Sequence, residues 1–196
     1  MLSDSRPGKT PLVVDFIDAQ GFRANVGIIV MRDDGRVFLG RRSGGHGWQF
    51  PQGGIARGEQ PDEALYRELK EEIGLDRADV TPLAQSGRWL RYKLPARYVR
   101  RDQTPICIGQ KQRWFLLKIN NPEREFRFDH TATPEFDQWR WVSYWEPLRE
   151  VVAFKRDVYE RALHELGLQA FPQGLPAYPE WWGEVAPSII KQRQRA

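Results

Sequence analysis

The feature that most restricts this 196-residue chain is the segment over residues 53–75, GGIARGEQPDEALYRELKEEIGL. Pro61 suits a first helical position, Asp62 and Glu63 suit the positive end of the helix dipole, and Gly74 suits a C-terminal stop. The spacing therefore predicts a helix over Pro61–Ile73. Glu68, Glu71 and Glu72 stand at i, i+3 and i+4, so they project from one face. Leu65, Leu69 and Ile73 form an adjacent apolar stripe that can dock on a sheet. Like charges one turn apart oppose helix formation. Held together by packing, three carboxylates call for a cation, and hard oxygens without clustered Cys or His select Mg²⁺ or Mn²⁺. Taken alone, the same pattern also fits a solvated acidic face with Arg67 and Lys70 as local partners.

The rest of the chain reads as mixed strands and helices. Residues 26–31 are β-branched and apolar, a buried strand. Asp33-Asp34-Gly35 signals a turn, and 36–40 returns as a hairpin partner. A glycine-rich loop over 41–47 follows. Strands are expected at 81–85, 88–94, 113–119 and 138–142, and a second helix at 154–166, stopped by Gly167. Residues 168–187 are irregular and rich in Pro and Trp, expected to pack on the core. One domain over 17–167 is expected, with a loose extension at 1–16 that holds one short strand at 12–16, and a segment over 168–196 ending in a frayed basic tail. Hairpin-like spacing favours an α+β arrangement, a mixed α/β sandwich, over a doubly wound parallel sheet.

Composition excludes several classes. Forty per cent hydrophobic residues with eight Trp, ten Phe and six Tyr do not fit global disorder. No run approaches the ~18 apolar residues of a membrane-spanning helix. The single cysteine, Cys107, excludes an internal disulfide framework and any multi-Cys zinc site, and is expected to pack inside. The first residues lack a charged start followed by an apolar core, so no secretory signal and a cytoplasmic setting are expected. The net charge of +4 is unevenly placed. Residues 53–75 hold six acids against three bases, whereas 87–101 hold six bases and no acid. That basic run, interleaved with Trp89, Tyr92 and Tyr98, suits phosphate contacts and base stacking, and equally suits a soluble sheet edge.

Gly53, Glu59, Arg67-Glu68, Glu71-Glu72, Gly74 and Leu75 fill every defined position of G-x5-E-x7-R-E-U-x-E-E-x-G-U, with U an apolar residue. The segment thus resembles the signature box of the Nudix hydrolases. The resemblance implies a mixed sheet between helices, with a loop–helix–loop that carries the box. It implies hydrolysis of a phosphoric anhydride with Mg²⁺, or Mn²⁺ in its place. It assigns Glu68, Glu71 and Glu72 as metal ligands, Gly53 as a close backbone approach to the metal, and Glu59 and Arg67 as structural braces.

Flanking motifs are similar to one subgroup, whose members act on the 5′ polyphosphate of RNA. They are GFRANVGIIV at 21–30, RRSGGHGWQFPQGGI at 41–55, WLRYKLP at 89–95, IGQKQRWFLL at 108–117, TPEFDQWRWVSYWEP at 133–147 and VVAFKRDVY at 151–159. The likeness covers about 17–166 and implies release of pyrophosphate, or of successive phosphates, to leave 5′-monophosphate RNA, the starting signal for mRNA decay. It adds Glu135 as a further metal ligand or general base. It adds Arg23, Arg42, Lys93, Val152, Phe154 and Lys155 as RNA contacts, with Arg41 and His46 nearby. The loop over 44–47 is richer in glycine than the subgroup's pattern. Two other readings stay open: a dinucleoside polyphosphate hydrolase, and a Nudix-fold RNA-binding module without catalysis. A full carboxylate set argues against the second.

Overall fold

The computed structural model describes residues 16–45 and 47–185. His46, the tail from 188 and almost all of the expected strand at 12–16 lie outside the described residues. The organising strand is β1 (Phe22–Met31), which is buried along nearly its whole length. It turns through Asp34 and Gly35 into β2 (Val37–Arg42), with Arg32 N–H donating to the Arg36 carbonyl at 2.9 Å. Short strands β3 (Trp48–Gln49) and β4 (Gln52–Gly54) follow. Helix α1 (Pro61–Ile73) has the expected bounds. Glu63 accepts from the Gln60 N–H at 2.8 Å at its start, and Gly74 closes it in the left-handed region with φ 73°.

Strands β5 (Val80–Gln85), β6 (Leu90–Lys93), β7 (Gly109–Ile119) and β8 (Phe136–Val142) complete one eight-stranded sheet. Its main path is β3-β2-β1-β7-β5. β1 and β7 run parallel from Phe22↔Gly109 to Met31↔Lys118, and every other pairing is antiparallel. Both central strands change partner part-way. β1 pairs with β4 from Asn25 to Gly27 and meets β2 at Met31. β7 pairs with β6 from Gly109 to Gln112 and with β5 from Phe115 onward. The sheet therefore splits around the first halves of β1 and β7.

Side chains of β1 alternate between two cores. Ala24, Val26, Ile28 and Val30 face α1 with Leu65, Leu69 and Ile73. Ile29 and Met31 face the opposite side with Trp114, Leu116, Tyr159 and Leu163. A strand covered on both faces reads as a continuous apolar run. The second cover is α2 (Pro147–Glu150), a 3-10 turn over Ala153–Lys155 and α3 (Arg156–Ala170). A last short helix, α4 (Trp182–Val185), brings Trp182 onto Trp145, with ring centroids 4.8 Å apart. No helix among the described residues is long and apolar enough to cross a membrane.

Three expectations need correction. The helix expected at 154–166 begins only at Arg156, because Ala153–Lys155 winds as a 3-10 turn. It also runs through Gly167 to Ala170. Gly167 is a packing residue rather than a stop, since a Cβ there would stand 2.7 Å from the Tyr144 hydroxyl oxygen and 2.4 Å from a Leu175 methyl. The strand expected at 88–94 is shorter, because its ladder starts at Leu90↔Gln112. The strand expected at 113–119 extends back to Gly109 through its parallel register with β1.

Gly27 sits opposite Trp114 in that register, and the indole lies over its α-carbon. A Cβ at Gly27 would fall 2.6–2.7 Å from three indole ring atoms, and Trp114 is fully buried. Gly27→Ala is expected to lower unfolding stability by about 1–3 kcal/mol through overpacking, despite the lower strand propensity of glycine. Denaturant midpoints with an unchanged m-value would measure this; an equal midpoint would show that the indole can move aside.

Candidate active site

The split in the sheet opens a cleft of about 760 Å³. Its lining comes from almost every part of the chain: Arg23 and Asn25 of β1, Arg42 of β2, Gln49 of β3, Gln52–Gly54 of β4, Glu68 and Glu72 of α1, Tyr92 of β6, Glu135, Val152, Phe154 and Lys155. Strand ends and loop ends meet here because the partner changes of β1 and β7 leave no side chain to fill the gap.

The acidic wall is set by a brace under it. Arg67 donates from Nε and Nη2 to the two carboxylate oxygens of Glu59 at 2.8 and 2.9 Å, and from Nη2 to the Gly54 carbonyl at 2.7 Å. Its Nη1 reaches Glu68 at 2.6 Å and Glu71 at 3.3 Å. Glu59 in turn accepts from the Ala56 N–H at 2.8 Å. One planar guanidinium thus ties α1 to the preceding loop. The hydrogen bonds to Glu59 hold Arg67 more firmly protonated, and Arg67 holds the Glu59 carboxyl below its usual range.

Gly53 explains how the acids reach the cleft. The Glu68 carboxyl lies where its side chain would be, with Cδ 1.8 Å from an ideal Cβ position. No other residue leaves that space. Glu72 accepts from the Gln52 N–H at 3.0 Å and shares the cleft floor with Glu68. Burial, and then the neighbouring Glu68 charge, push the Glu72 carboxyl well above the usual range. Burial also raises Glu68, opposed by Arg67. Two crowded carboxylates in a low-dielectric site favour a proton or a cation. Among the described residues, no three Asp, Glu, His or Cys side chains converge into a ready ligand set. Glu71 is the reason on α1: it does not line the cleft and is drawn toward Arg67.

Facing these acids, Glu135 accepts through Oε1 from both Arg42 Nε and Gln49 Nε2, each at 2.9 Å. Lys155, 7 % exposed, donates to Gln49 Oε1 at 3.1 Å. Burial, and then the Arg42 charge, lower the Lys155 ammonium to about 8. Phe154 stands between Tyr92 and Tyr98, with centroids 5.9 and 5.7 Å away, and Val152 is exposed at the rim.

The structure therefore brings together Gly53, Glu68, Glu72, Glu135, Arg23, Arg42, Val152, Phe154 and Lys155. It places Glu59 and Arg67 behind the wall and Glu71 beside them. Lys93 lies outside this cleft. The alternation along β6 turns Leu90 and Tyr92 inward and Arg91 and Lys93 outward, so Lys93 lines a separate shallow groove with Arg101 and Ile106. Arg41 is likewise taken by Asp137 at 2.7 Å. Cys107 is only partly buried. Sequence reasoning passed over Asn25, Gln49, Gln52 and Gln110 as cleft residues, since isolated amides in strands carry no periodic signal.

Arg67→Met leaves Glu59 and Glu68 without their main cation and is expected to cost about 2 kcal/mol near neutral pH. Because Arg67 lowers the Glu59 pKa, that pair's contribution is full above the ordinary glutamate pKa and is lost as pH falls through the lowered value. Melting curves of variant and wild type are therefore expected to converge in acid; a gap that stays constant from neutral pH into acid would assign the loss to packing alone.

Known proteins share the sequence and the fold of this chain. The NUDIX domain profile matches residues 21–162. Proteins named RNA pyrophosphohydrolase from Pseudoalteromonas translucida and Photobacterium profundum are 57% and 58% identical over 156 residues, which is 80% of this chain and 91% and 90% of theirs. Among solved structures, the dihydroneopterin triphosphate pyrophosphohydrolase of E. coli aligns with TM-score 0.57 at 20% identity, covering 71% of this chain and 94% of that one. An Ap4A hydrolase of C. elegans aligns with TM-score 0.53 at 21% identity, covering 70% and 93%. At those identities the structures speak for the fold alone. With the profile spanning most of the chain and the box residues lining or bracing one cleft, the chain belongs to the Nudix family.

Proposed function

We propose that the chain hydrolyses the 5′-terminal polyphosphate of RNA, releases pyrophosphate or successive phosphates, and leaves a 5′-monophosphate. The observation that carries this reading is a cleft with opposed walls. Buried Glu68 and half-buried Glu72 form one side, and Arg42, Lys155 and the Phe154 ring form the other. A polyphosphate needs cations on both sides, and a nucleoside next to it needs a flat apolar surface. The identity to proteins named RNA pyrophosphohydrolase supports RNA as the substrate.

Nudix hydrolases generally need divalent cations. We assign that role here to Mg²⁺, with Mn²⁺ as a substitute, held by Glu68, Glu72 and Glu135 with the Gly53 backbone, and by Glu71 once it leaves Arg67. The residues fit: all donors are hard oxygens, Gly53 leaves space beside Glu68, and burial raises the pKa values of Glu68 and Glu72, a strain on the charged carboxylates that a bound cation would relieve. When bound, the cations neutralise the polyphosphate and lower the pKa of the attacking water. The chain's own groups do the rest. Lys155, Arg42 and Arg23 bind phosphate oxygens, Phe154 and Val152 hold the base, and Glu135 or Glu72 takes the proton from water. The hydrolase unit is assigned to 17–167 and its setting to the cytoplasm, where monophosphate ends feed RNA decay.

The decisive experiment offers end-labelled triphosphate RNA and diadenosine tetraphosphate together, with product analysis. RNA is expected to be consumed preferentially, with a steep salt dependence. Glu72→Gln is expected to lose at least about 100-fold in rate while still binding RNA. Untouched RNA beside rapidly cleaved diadenosine tetraphosphate would make this a dinucleotide hydrolase. RNA binding without turnover on any nucleotide would make it a binding module.

The acids also predict a pH-dependent response to metal. A carboxyl whose folded pKa is raised contributes stability in acid and loses it as pH rises through the raised value. Chelator-treated protein is therefore expected to melt lower at pH 8 than at pH 5, and Mg²⁺ to raise the melting temperature more at pH 8. Equal Mg²⁺ shifts at both values would place the cation away from Glu72.

A further inference from the structure

Gln49 lies outside the box over 53–75, within the flanking motif over 41–55, yet it sits between the two charges of opposite sign that the proposed reaction needs most. Its side chain is 4 % exposed, on β3, held by the Gly40↔Gln49 pairing. Its Nε2 donates to Glu135 at 2.9 Å, and its Oε1 accepts from Lys155 at 3.1 Å. An ammonium only donates and a carboxylate only accepts, so the amide has a single orientation that satisfies both.

We infer that Gln49 is a positioning residue whose neutral amide acts as a spacer, keeping Glu135 and Lys155 from pairing directly so that one stays available to a cation and the other to a phosphate. The inference rests on the reading above. Opposite charges in a poorly solvated cleft attract strongly; Glu135 already meets Arg42 through Oε1, so direct contact with Lys155 would take its remaining oxygen and neutralise the ammonium. Among the described residues Lys155 makes no ion pair, although it shares its hydrogen-bond partner with Glu135. Glu135 places both of its donors on Oε1, so Oε2 takes no hydrogen bond among the described residues and remains for the cleft. Lys155 keeps two N–H groups beyond its one hydrogen bond to Gln49. The alternatives at position 49 fail on chemistry: a carboxylate would repel Glu135, an ammonium would repel Lys155, and Asn is one carbon too short to span both.

The test is Mn²⁺ titration of the free protein by electron paramagnetic resonance, with RNA kinetics alongside. Gln49→Met keeps the shape and removes both hydrogen bonds. It is expected to weaken Mn²⁺ binding about tenfold, the usual scale for a residue that orients a metal ligand, and to raise KM for triphosphate RNA. Adding Lys155→Met removes the competing cation, so the double variant is expected to bind Mn²⁺ like Lys155→Met alone. Gln49→Leu serves as the second probe if Gln49→Met does not fold, with circular dichroism as the check. Wild-type Mn²⁺ affinity in a folded Gln49 variant, or a loss that persists undiminished without Lys155, overturns the spacer. Because Mn²⁺ binding is read without RNA, a wild-type protein inert toward RNA but showing the full Mn²⁺ pattern would sink the RNA reading and leave the spacer standing.

Discussion

Crowding carboxylates at one point is the constraint on which the rest of this structure depends, and Arg67 is how the chain meets it. Alone, Glu68, Glu71 and Glu72 would push their helix apart. The guanidinium attaches to Glu59 and the Gly54 carbonyl on the loop side and to Glu68 and Glu71 on the helix side. The apolar stripe of Leu65, Leu69 and Ile73 then fixes the helix against β1. Glu59 thus never needs to approach the cleft: it holds the cation that holds the acids. The same brace accounts for the position of Glu71, whose carboxylate is nearer to Arg67 than to its two neighbours' cleft.

The cleft exists because of a second, purely backbone fact. β1 and β7 each exchange one antiparallel partner for another along their length. Where β4 and β6 replace β2 and β5, the strands are short, and Gly53 of β4 and Tyr92 of β6 line the cleft with Gln110 of β7. Gly53 lets an acid from the α1 side reach this opening. The 3-10 turn over Ala153–Lys155 closes it from the other side, and that turn, not a helix start, carries Phe154 and Lys155.

Legibility in the sequence followed the range of the interactions. Helix α1, with its first residue Pro61, its close at Gly74 and its apolar stripe, is local and was readable to the residue. The strand cores were readable because covered strands are apolar, but their ends were not, since the limits of β6 and β7 are set by register with distant strands. Gly167 looked like a stop because glycine after an apolar stripe usually is one; only Tyr144 and Leu175, brought from elsewhere, show it to be a contact. Lys93 stands outside the cleft by a single residue of alternation, which decides the face of a strand. Gln49 was invisible because its meaning lies wholly in two partners 86 and 106 positions away.

The charge pattern shows the same lesson in electrostatic terms. The dense basic run over 87–101 suggested where a polyanion would lie, yet its exposed side chains mostly face solvent or the shallow groove with Lys93 and Arg101. Arg91, for example, lies over the Phe22 ring, 5.5 Å from its centroid. The cations that line the cleft are Arg23, Arg42 and Lys155, one each from three separate segments. A buried ammonium at contact distance outweighs several screened surface charges, because screening in salt removes most of what lies beyond about 8–10 Å. What the run can supply is a long-range field that draws an RNA end toward the cleft. Under the proposed function, holding the end would fall first to Lys155, whose charge the fold keeps out of water and out of direct contact with the acids across from it.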